Sequence, residues 1–207
     1  MIPATIFIIS APSGTGKSCI INHLLNIQSL SNIKLLVSHT TRAKRPDEKN
    51  GQHYFFISVN EFKTMIKNED FIEYSEVFGN YYGTSRQMLK NFLSLGIDVF
   101  LDINWHGAQQ IRQLISGTCS IFILPPSKME LLKRLHNRGH DTEESIALRM
   151  KHAIHDMKSY TEYDYLIINE NYYLAVSEIK NIICTQRLKT NQQMLRNQQL
   201  INQLLAD

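Results

Sequence analysis

One junction near the start constrains this chain most: the apolar run Ile6-Phe7-Ile8-Ile9 passes directly into Ser10-Ala11-Pro12-Ser13-Gly14-Thr15-Gly16-Lys17-Ser18. A short β-branched and aromatic run reads as a buried parallel strand. The glycine-rich turn behind it frees backbone N–H groups to wrap an anionic oxygen. Glycine suits such a turn because it adopts the positive φ that points amides inward, and because a Cβ would block the approach of a phosphate.

Lys17 then supplies a point charge for the β- and γ-phosphates of ATP and Ser18 a hydroxyl for Mg²⁺, while the helix starting near Cys19 aims its positive end at the same place. Ile20, Ile21, Leu24 and Leu25 give that helix an apolar face. The phosphate-loop pattern G-x-x-x-x-G-K-[ST] is met at Gly16, Lys17 and Ser18, with Ala11 in place of its first glycine. The expected ATP cradle is thus Ala11, Pro12, Ser13, Gly14, Thr15, Gly16, Lys17 and Ser18. A plain Gly/Ser turn between strand and helix is the competing reading of this stretch taken alone.

A chain of 207 residues suits one well-buried core with small excursions. The net charge of +3, without a dense Lys/Arg tract, gives no argument for a nucleic-acid partner. Cys19, Cys119 and Cys184 are odd in number and widely spaced, which suggests neither a disulfide framework nor a zinc site and fits a reducing compartment. The N-terminus lacks a secretory pattern and no apolar stretch reaches spanning length, so the expectation is a soluble, cytoplasmic protein without a membrane partner.

Strand-like runs recur at 5–10, 35–38, 99–102, 121–124 and 165–169, with helix-compatible stretches between most of them. That alternation predicts an α/β fold of three layers with a mainly parallel central sheet, its ligand at the carboxyl ends of the strands. Two stretches break the pattern within this single domain. Residues 39–84 hold the polar turn Arg45-Pro46-Asp47-Glu48-Lys49-Asn50-Gly51, the aromatic piece His53-Tyr54-Phe55-Phe56-Ile57 and the turn Gly79-Asn80-Tyr81-Tyr82-Gly83, and read as an inserted β-rich subdomain. Phe55, Phe56 and Phe71 are expected in its core.

Residues 126–159 read as a helical lid. Within it Asp141-Thr142-Glu143-Glu144 suggests a capping box, followed by the apolar face Ile146, Met150, Ala153, Ile154 and Met157. The core is then 1–38, 85–125 and 160–207. The glutamine-rich end, with Met194, Ile201, Leu204 and Leu205 at near-helical spacing, is expected to pack on this core or on a second subunit of a homo-oligomer.

Charged groups cluster where phosphates would lie. Val99-Phe100-Leu101-Asp102 ends a buried strand in a carboxylate, placed for a Mg²⁺ ion directly or through water. Arg42 and Arg45 follow another strand and offer planar donor forks that match a second phosphate, a solvated basic turn being the alternative. Arg134 and Arg138 lie four residues apart, with Arg149 on the next helix; like charges so placed favour an anion between them, a solvated helix face being the alternative. Tyr54 and Tyr82 each carry a hydroxyl able to donate to phosphate. His136/His140 and His152/His155 stand at helical intervals but carry no nearby acid to orient them as metal ligands.

Taken together, Ala-Pro-Ser-Gly-Thr-Gly-Lys-Ser, Ser-His-Thr-Thr-Arg with Arg-Pro, Gly51-Gln52-His53-Tyr54-Phe55-Phe56, Phe71-Ile72-Glu73, Gly79-Asn80-Tyr81-Tyr82-Gly83-Thr84, Leu101-Asp102-Ile103 and Arg138-Gly-His-Asp-Thr-Glu-Glu resemble successive signatures of the guanylate kinase family. The likeness runs in order over almost the whole chain and is greatest to bacterial members. It implies a Mg²⁺-dependent transfer of the ATP γ-phosphoryl group to GMP, with dGMP as a further acceptor.

The resemblance also assigns Arg42, Arg45, Tyr54 and Tyr82 to the GMP phosphate and Ser38, Glu73 and Thr84 to guanine, with Asp102 nearby and Asn169 against adenine. Chemistry supports the base assignment separately: guanine presents N1–H and N2–H donors that one carboxylate accepts, whereas adenine offers a bare N1 acceptor. Asn104 departs from the family, which usually carries a second aspartate there; asparagine keeps an acceptor but loses a charge. Two other readings stay open at this point, a non-catalytic relative that holds a phosphorylated peptide in the GMP cleft and a phosphate-loop kinase for another small phosphorylated acceptor.

Overall fold

The structure, a computed structural model, describes residues 4–137 and 142–206. Its central sheet contains β1 (Ile6–Ser10) and β2 (Ile33–Leu35), with α1 (Lys17–Leu25) between them. A second sheet follows: β3 (His39–Thr40), β4 (Phe55–Phe56), α2 (Val59–Lys67), β5 (Phe71–Val77) and β6 (Asn80–Ser85). The chain then re-enters the first sheet through α3 (Arg86–Ser94), β7 (Asp98–Asp102), α4 (Trp105–Leu114) and β8 (Cys119–Leu124). Two helices, α5 (Lys128–His136) and α6 (Glu143–Met157), precede β9 (Tyr165–Ile168), and α7 (Tyr172–Arg187), α8 (Thr190–Arg196) and α9 (Gln198–Leu204) complete the chain.

The central sheet has the order β2-β7-β1-β8-β9, and every pairing in it is parallel. Alternation along β1 explains the layering, since successive side chains leave a strand on opposite faces. Phe7 and Ile9 pack with Ile20, Ile21 and Leu24 of α1 and Ala175, Val176, Ile179 and Ile183 of α7. Ile6 and Ile8 pack on the other face with Leu89 of α3 and Ala108 and Ile111 of α4. Three layers follow, as the sequence predicts.

The expected strand at 35–38 is displaced to Ile33–Leu35, because the chain leaves the central sheet there and starts the second one at His39. That second sheet has the order β4-β3-β6-β5. Its apolar centre is Phe62 of α2, fully buried, stacked on Phe71 at 4.4 Å and on Tyr81 at 5.4 Å. Gly83 keeps this stack close, because a Cβ there would meet Phe71 Cδ1 at 2.9 Å and Phe62 Cζ at 3.0 Å. Phe55 and Phe56 are only half-buried; Phe55 stacks on His39 and Phe56 lies under Arg42.

Helices α5 and α6 share a small core of their own, Leu131, Leu135, Ile146 and Ala153 with Met150 against it. Thr142 caps α6, its hydroxyl accepting from the Ser145 N–H at 3.3 Å; Asp141 and Arg138 lie outside the described residues. At the other end, α8 and α9 bury no residue, and Met194, Leu204 and Leu205 are exposed. No described helix is long and apolar enough to cross a membrane.

Candidate functional site

The loop after β1 is shaped by two left-handed glycines, Gly14 at φ 95° and Gly16 at φ 97°. Both also sit in tight surroundings. A Cβ on Gly14 would meet Leu131 and Leu135 of α5 at 3.0 Å each. A Cβ on Gly16 would meet Asn169 Nδ2 at 2.9 Å, the atom that donates to the Thr15 carbonyl at 2.6 Å. Asn169 is 4 % exposed. Its side chain therefore braces the loop from behind, at the carboxyl end of β9.

Sheet register brings the next group into place. In the parallel β1–β7 pair Ile9 aligns with Asp102, so the carboxylate ends its strand beside the loop that β1 feeds. The Lys17 ammonium pairs with the Asp102 carboxylate and donates to the Ile103 carbonyl at 3.5 Å. Ser10 Oγ donates to that same carbonyl at 2.7 Å. Ser18, on the first turn of α1, is exposed, and Ala11, Pro12 and Ser13 complete the loop.

Two arginines, one on α5 and one on α6, reach this loop. Arg134 donates to the Thr15 carbonyl at 3.3 Å and the Asn169 carbonyl at 3.4 Å, and its Nε is held by Glu130 at 2.9 Å. Arg149 donates to Ser13 Oγ at 3.3 Å and lies over the Phe78 ring at 5.9 Å. Phe78 sits at the tip of the β5–β6 hairpin with φ 52°, edge-on to His152 of α6 at 4.6 Å. The hairpin of the second sheet thus touches the helix that carries Arg149.

A second cationic group faces the same cleft. The Arg42 guanidinium lies 5.5 Å from the Tyr54 ring centroid and 5.7 Å from that of Phe56, and Tyr54 sits 5.9 Å from Tyr82. Burial pushes the Tyr54 phenol well above its ordinary range, and the Asp102 charge adds to this, so its hydroxyl stays a donor at neutral pH. Ser38, Tyr54 and Asp102 line one pocket, which joins this group to the end of β7. Arg45 is exposed.

The sequence did not single out what holds Arg42. Glu48, 8 % exposed, accepts from Arg42 at 2.6 Å and from the Arg45 backbone N–H at 2.9 Å. Burial opposes its ionisation, but these donors outweigh that and hold the carboxyl below its ordinary range. Its only sequence signal is an acid three positions after Arg45 in a turn otherwise rich in solvated groups.

Glu73 and Thr84 face each other across the β5–β6 pair, next to a register irregularity between Phe71 and Glu73. Such a bulge re-aims a side chain. Both residues are buried, at 3 % and 1 % exposure, and the Thr84 hydroxyl donates to Glu73 Oε1 in a short bond. Burial pushes the Glu73 carboxyl up to about 7 against the lowering effect of Thr84. Ser38 is buried at 8 %.

Asn104 caps α4: its Oδ1 accepts from the Gly107 N–H at 3.0 Å while its Nδ2 donates to Ser75 Oγ at 2.7 Å. The amide thereby joins the core helix to the strand that carries Glu73, a use for which its nitrogen is needed. A neutral, partly buried amide satisfies both partners at once.

This layout has a glycine loop beside Lys17 and Asp102, a pocket that joins Asp102 to Tyr54 and Arg42, and a buried carboxylate in the second sheet. The family model described as guanylate kinase matches residues 4–186. A guanylate kinase of Salmonella typhimurium strain LT2 is 55 % identical over 207 residues, covering 100 % of both chains. One from Escherichia coli strain K12 is 53 % identical over the same 207 residues, again 100 % of each. The crystal structure of guanylate kinase from Anaplasma phagocytophilum superposes with a TM-score of 0.76 at 32 % identity, covering 97 % of both chains. With fold, motif order and full-length similarity in agreement, the chain belongs to the guanylate kinase family.

Proposed function

We propose that this guanylate kinase binds ATP at the loop 11–18 and GMP between the second sheet and β7, and moves the γ-phosphoryl group from one to the other. The observation that carries the reading is the pocket lined by Ser38, Tyr54 and Asp102, which joins the Lys17–Asp102 pair to the Arg42–Tyr54 group, with the buried Glu73 in the same second sheet. An oxygen of the GMP phosphate attacks the γ-phosphorus, the bond to the ADP oxygen breaks, and ADP departs with that electron pair. The attacking oxygen is already anionic near neutral pH, so no general base is needed, and catalysis rests on alignment and charge neutralisation.

Arg42, Arg45, Tyr54 and Tyr82 hold the acceptor phosphate. Lys17, Arg134 and Arg149 meet the transferring group and its donor, with Arg138 joining them from its place in the lid sequence. Ser38, Glu73 and Thr84 read guanine, with Asp102 and Asn104 at the edge of that pocket. The sugar carries none of this recognition, so dGMP is accepted as well. Residues 39–84 and 126–159 act as the two moving parts over a core of 1–38, 85–125 and 160–207, and their closure excludes water that would otherwise compete for the phosphoryl group.

The donor set fits Mg²⁺. The Ser18 hydroxyl, next to Lys17 in sequence, and the Asp102 carboxylate, paired with Lys17, are hard oxygen donors, suited to an ion that keeps phosphate and water as most of its ligands. Ser18 and Asp102, the latter directly or through water, would hold it, and when bound it supplies positive charge at the phosphates. We place the enzyme in the cytoplasm, where its nucleotides and the reducing conditions that keep Cys19, Cys119 and Cys184 as free thiols occur together.

A coupled assay of ADP release with GMP, AMP, CMP, UMP or no acceptor tests the reading. ADP should form quickly with GMP and at least ~10³-fold more slowly with the others. Equal rates with and without GMP would contradict it, as would a preference for another monophosphate.

A further inference from the structure

Gly107 is the third residue of α4, and its backbone does not explain why it is glycine: it lies within a helix and is absent from the residues with positive φ. Glycine inside a helix costs roughly 1 kcal/mol relative to alanine. The space around it supplies the reason. A Cβ on Gly107 would collide with Glu73 Oε2 and come within 2.9 Å of Glu73 Cδ, while the Ile103 Cβ lies at an ordinary 3.5 Å. The carboxylate proposed to read guanine therefore rests against bare helix backbone.

Hydrogen bonds fasten this helix to the strand beneath it on both sides of that contact. Asn104 at its cap donates to Ser75 Oγ at 2.7 Å. One turn beyond Gly107, Gln110 accepts from the Tyr74 N–H at 3.3 Å and donates to the Tyr74 carbonyl at 2.9 Å, in the manner of a neighbouring strand. Tyr74 and Ser75 directly follow Glu73. Helix α4 is thus clasped to β5 at the two residues next to the base reader, with a gap of one side chain facing the reader itself.

We propose that Gly107, with the Asn104–Ser75 and Gln110–Tyr74 clasps, is a specificity-determining positioning element: the missing side chain forms the slot that aims the Glu73 carboxylate at the guanine edge. This rests on the reading of Glu73 as the guanine acceptor. Thr84 fixes one carboxylate oxygen through its hydroxyl, and the α4 backbone limits where the other oxygen goes. A carboxylate held by two contacts keeps the angle needed to meet two parallel N–H groups, whereas one pushed out by a methyl group meets one of them or neither.

The test compares GMP with inosine monophosphate, which lacks the 2-amino group, as acceptors for the full chain and its variants. Gly107→Ala should lower the GMP-to-inosine-monophosphate ratio of kcat/KM at least tenfold while the KM for ATP stays within about twofold. A purely structural role would reduce the active fraction and leave that ratio unchanged. Glu73→Gln serves as the reference. If it abolishes the preference and Gly107→Ala does not, the positioning role is wrong; if Glu73→Gln keeps the preference, the base-reading assignment itself falls. Should Gly107→Ala fail to fold, the double variant Ser75→Ala/Gln110→Ala, which opens the clasps without filling the slot, should lower the ratio at least threefold, and an unchanged ratio there would overturn the proposal.

Discussion

Glu48 accepts from the Arg42 guanidinium at 2.6 Å and from the Arg45 amide at 2.9 Å, so one buried carboxylate sets both ends of the turn proposed to grip the GMP phosphate. A hydrogen bond to a charged group is worth roughly 1.5–3 kcal/mol. Glu48→Ala should accordingly raise the KM for GMP about ten- to hundredfold and change that for ATP about twofold or less. Steady-state kinetics with each nucleotide varied in turn measures both, and equal loss for the two would show that Glu48 acts on the whole fold.

If Glu73 accepts guanine as proposed, GMP binding should depend on pH. The Glu73 carboxyl stands at about 7 because burial disfavours its charge, and only the ionised form accepts two N–H donors from guanine. GMP affinity should be level above about pH 8 and fall about tenfold per unit well below 7. Calorimetric titration of GMP across pH 5.5–8.5 measures this, and Glu73→Gln should flatten the profile.

The same group opposes stability. A carboxyl raised in the folded state stabilises the protein fully below its unfolded value near 4.5, and this contribution is lost as pH rises through about 7. At pH 8 the unliganded protein then carries a penalty of roughly 3 kcal/mol, an upper figure for a shift of this size. Glu73→Gln should raise the thermal midpoint at pH 8 and do so much less at pH 5. Equal midpoints at both would contradict the buried-charge account.

The local parts of the site were legible in the sequence because their geometry is set within a few residues. The strand-turn-helix around Gly14 and Gly16 and the carboxylate at the end of β7 are of this kind. Glu48 was hidden because its pairing with Arg42 depends on how an exposed-looking turn folds back. Gly107 was hidden because its partner lies on another strand, although an isolated glycine in a helical stretch is a cue to a close approach. The resemblance implies a nucleotide contact for Asn169, whereas its link to Thr15 emerges only from the packing of β9 against the loop. The strand expected at 35–38 was displaced because the sequence does not show where one sheet hands the chain to the next.

Gly16→Ala combines a strained φ of 97° with a Cβ at 2.9 Å from Asn169. It should raise the KM for ATP at least about tenfold, and Asn169→Ala, which leaves the Thr15 carbonyl without that donor, should do so by a smaller factor. Unchanged ATP kinetics in both would remove the brace from the account.

Phe78 is the contact between the hairpin of the second sheet and the helix carrying Arg149. Phe78→Ala should lower kcat several-fold, with both nucleotides still binding to within about threefold, because it loosens the joint between the two parts proposed to move and leaves their binding surfaces intact. Stopped-flow comparison of binding and turnover separates the two effects.

The most direct test follows the phosphorus atom itself. With ATP labelled in its γ-phosphate and GMP present, the label should appear in GDP in step with ADP formation, and Lys17→Ala should slow that transfer by orders of magnitude while GMP still binds. Label released as inorganic phosphate, or ADP formed equally well without GMP, would contradict direct transfer across the cleft.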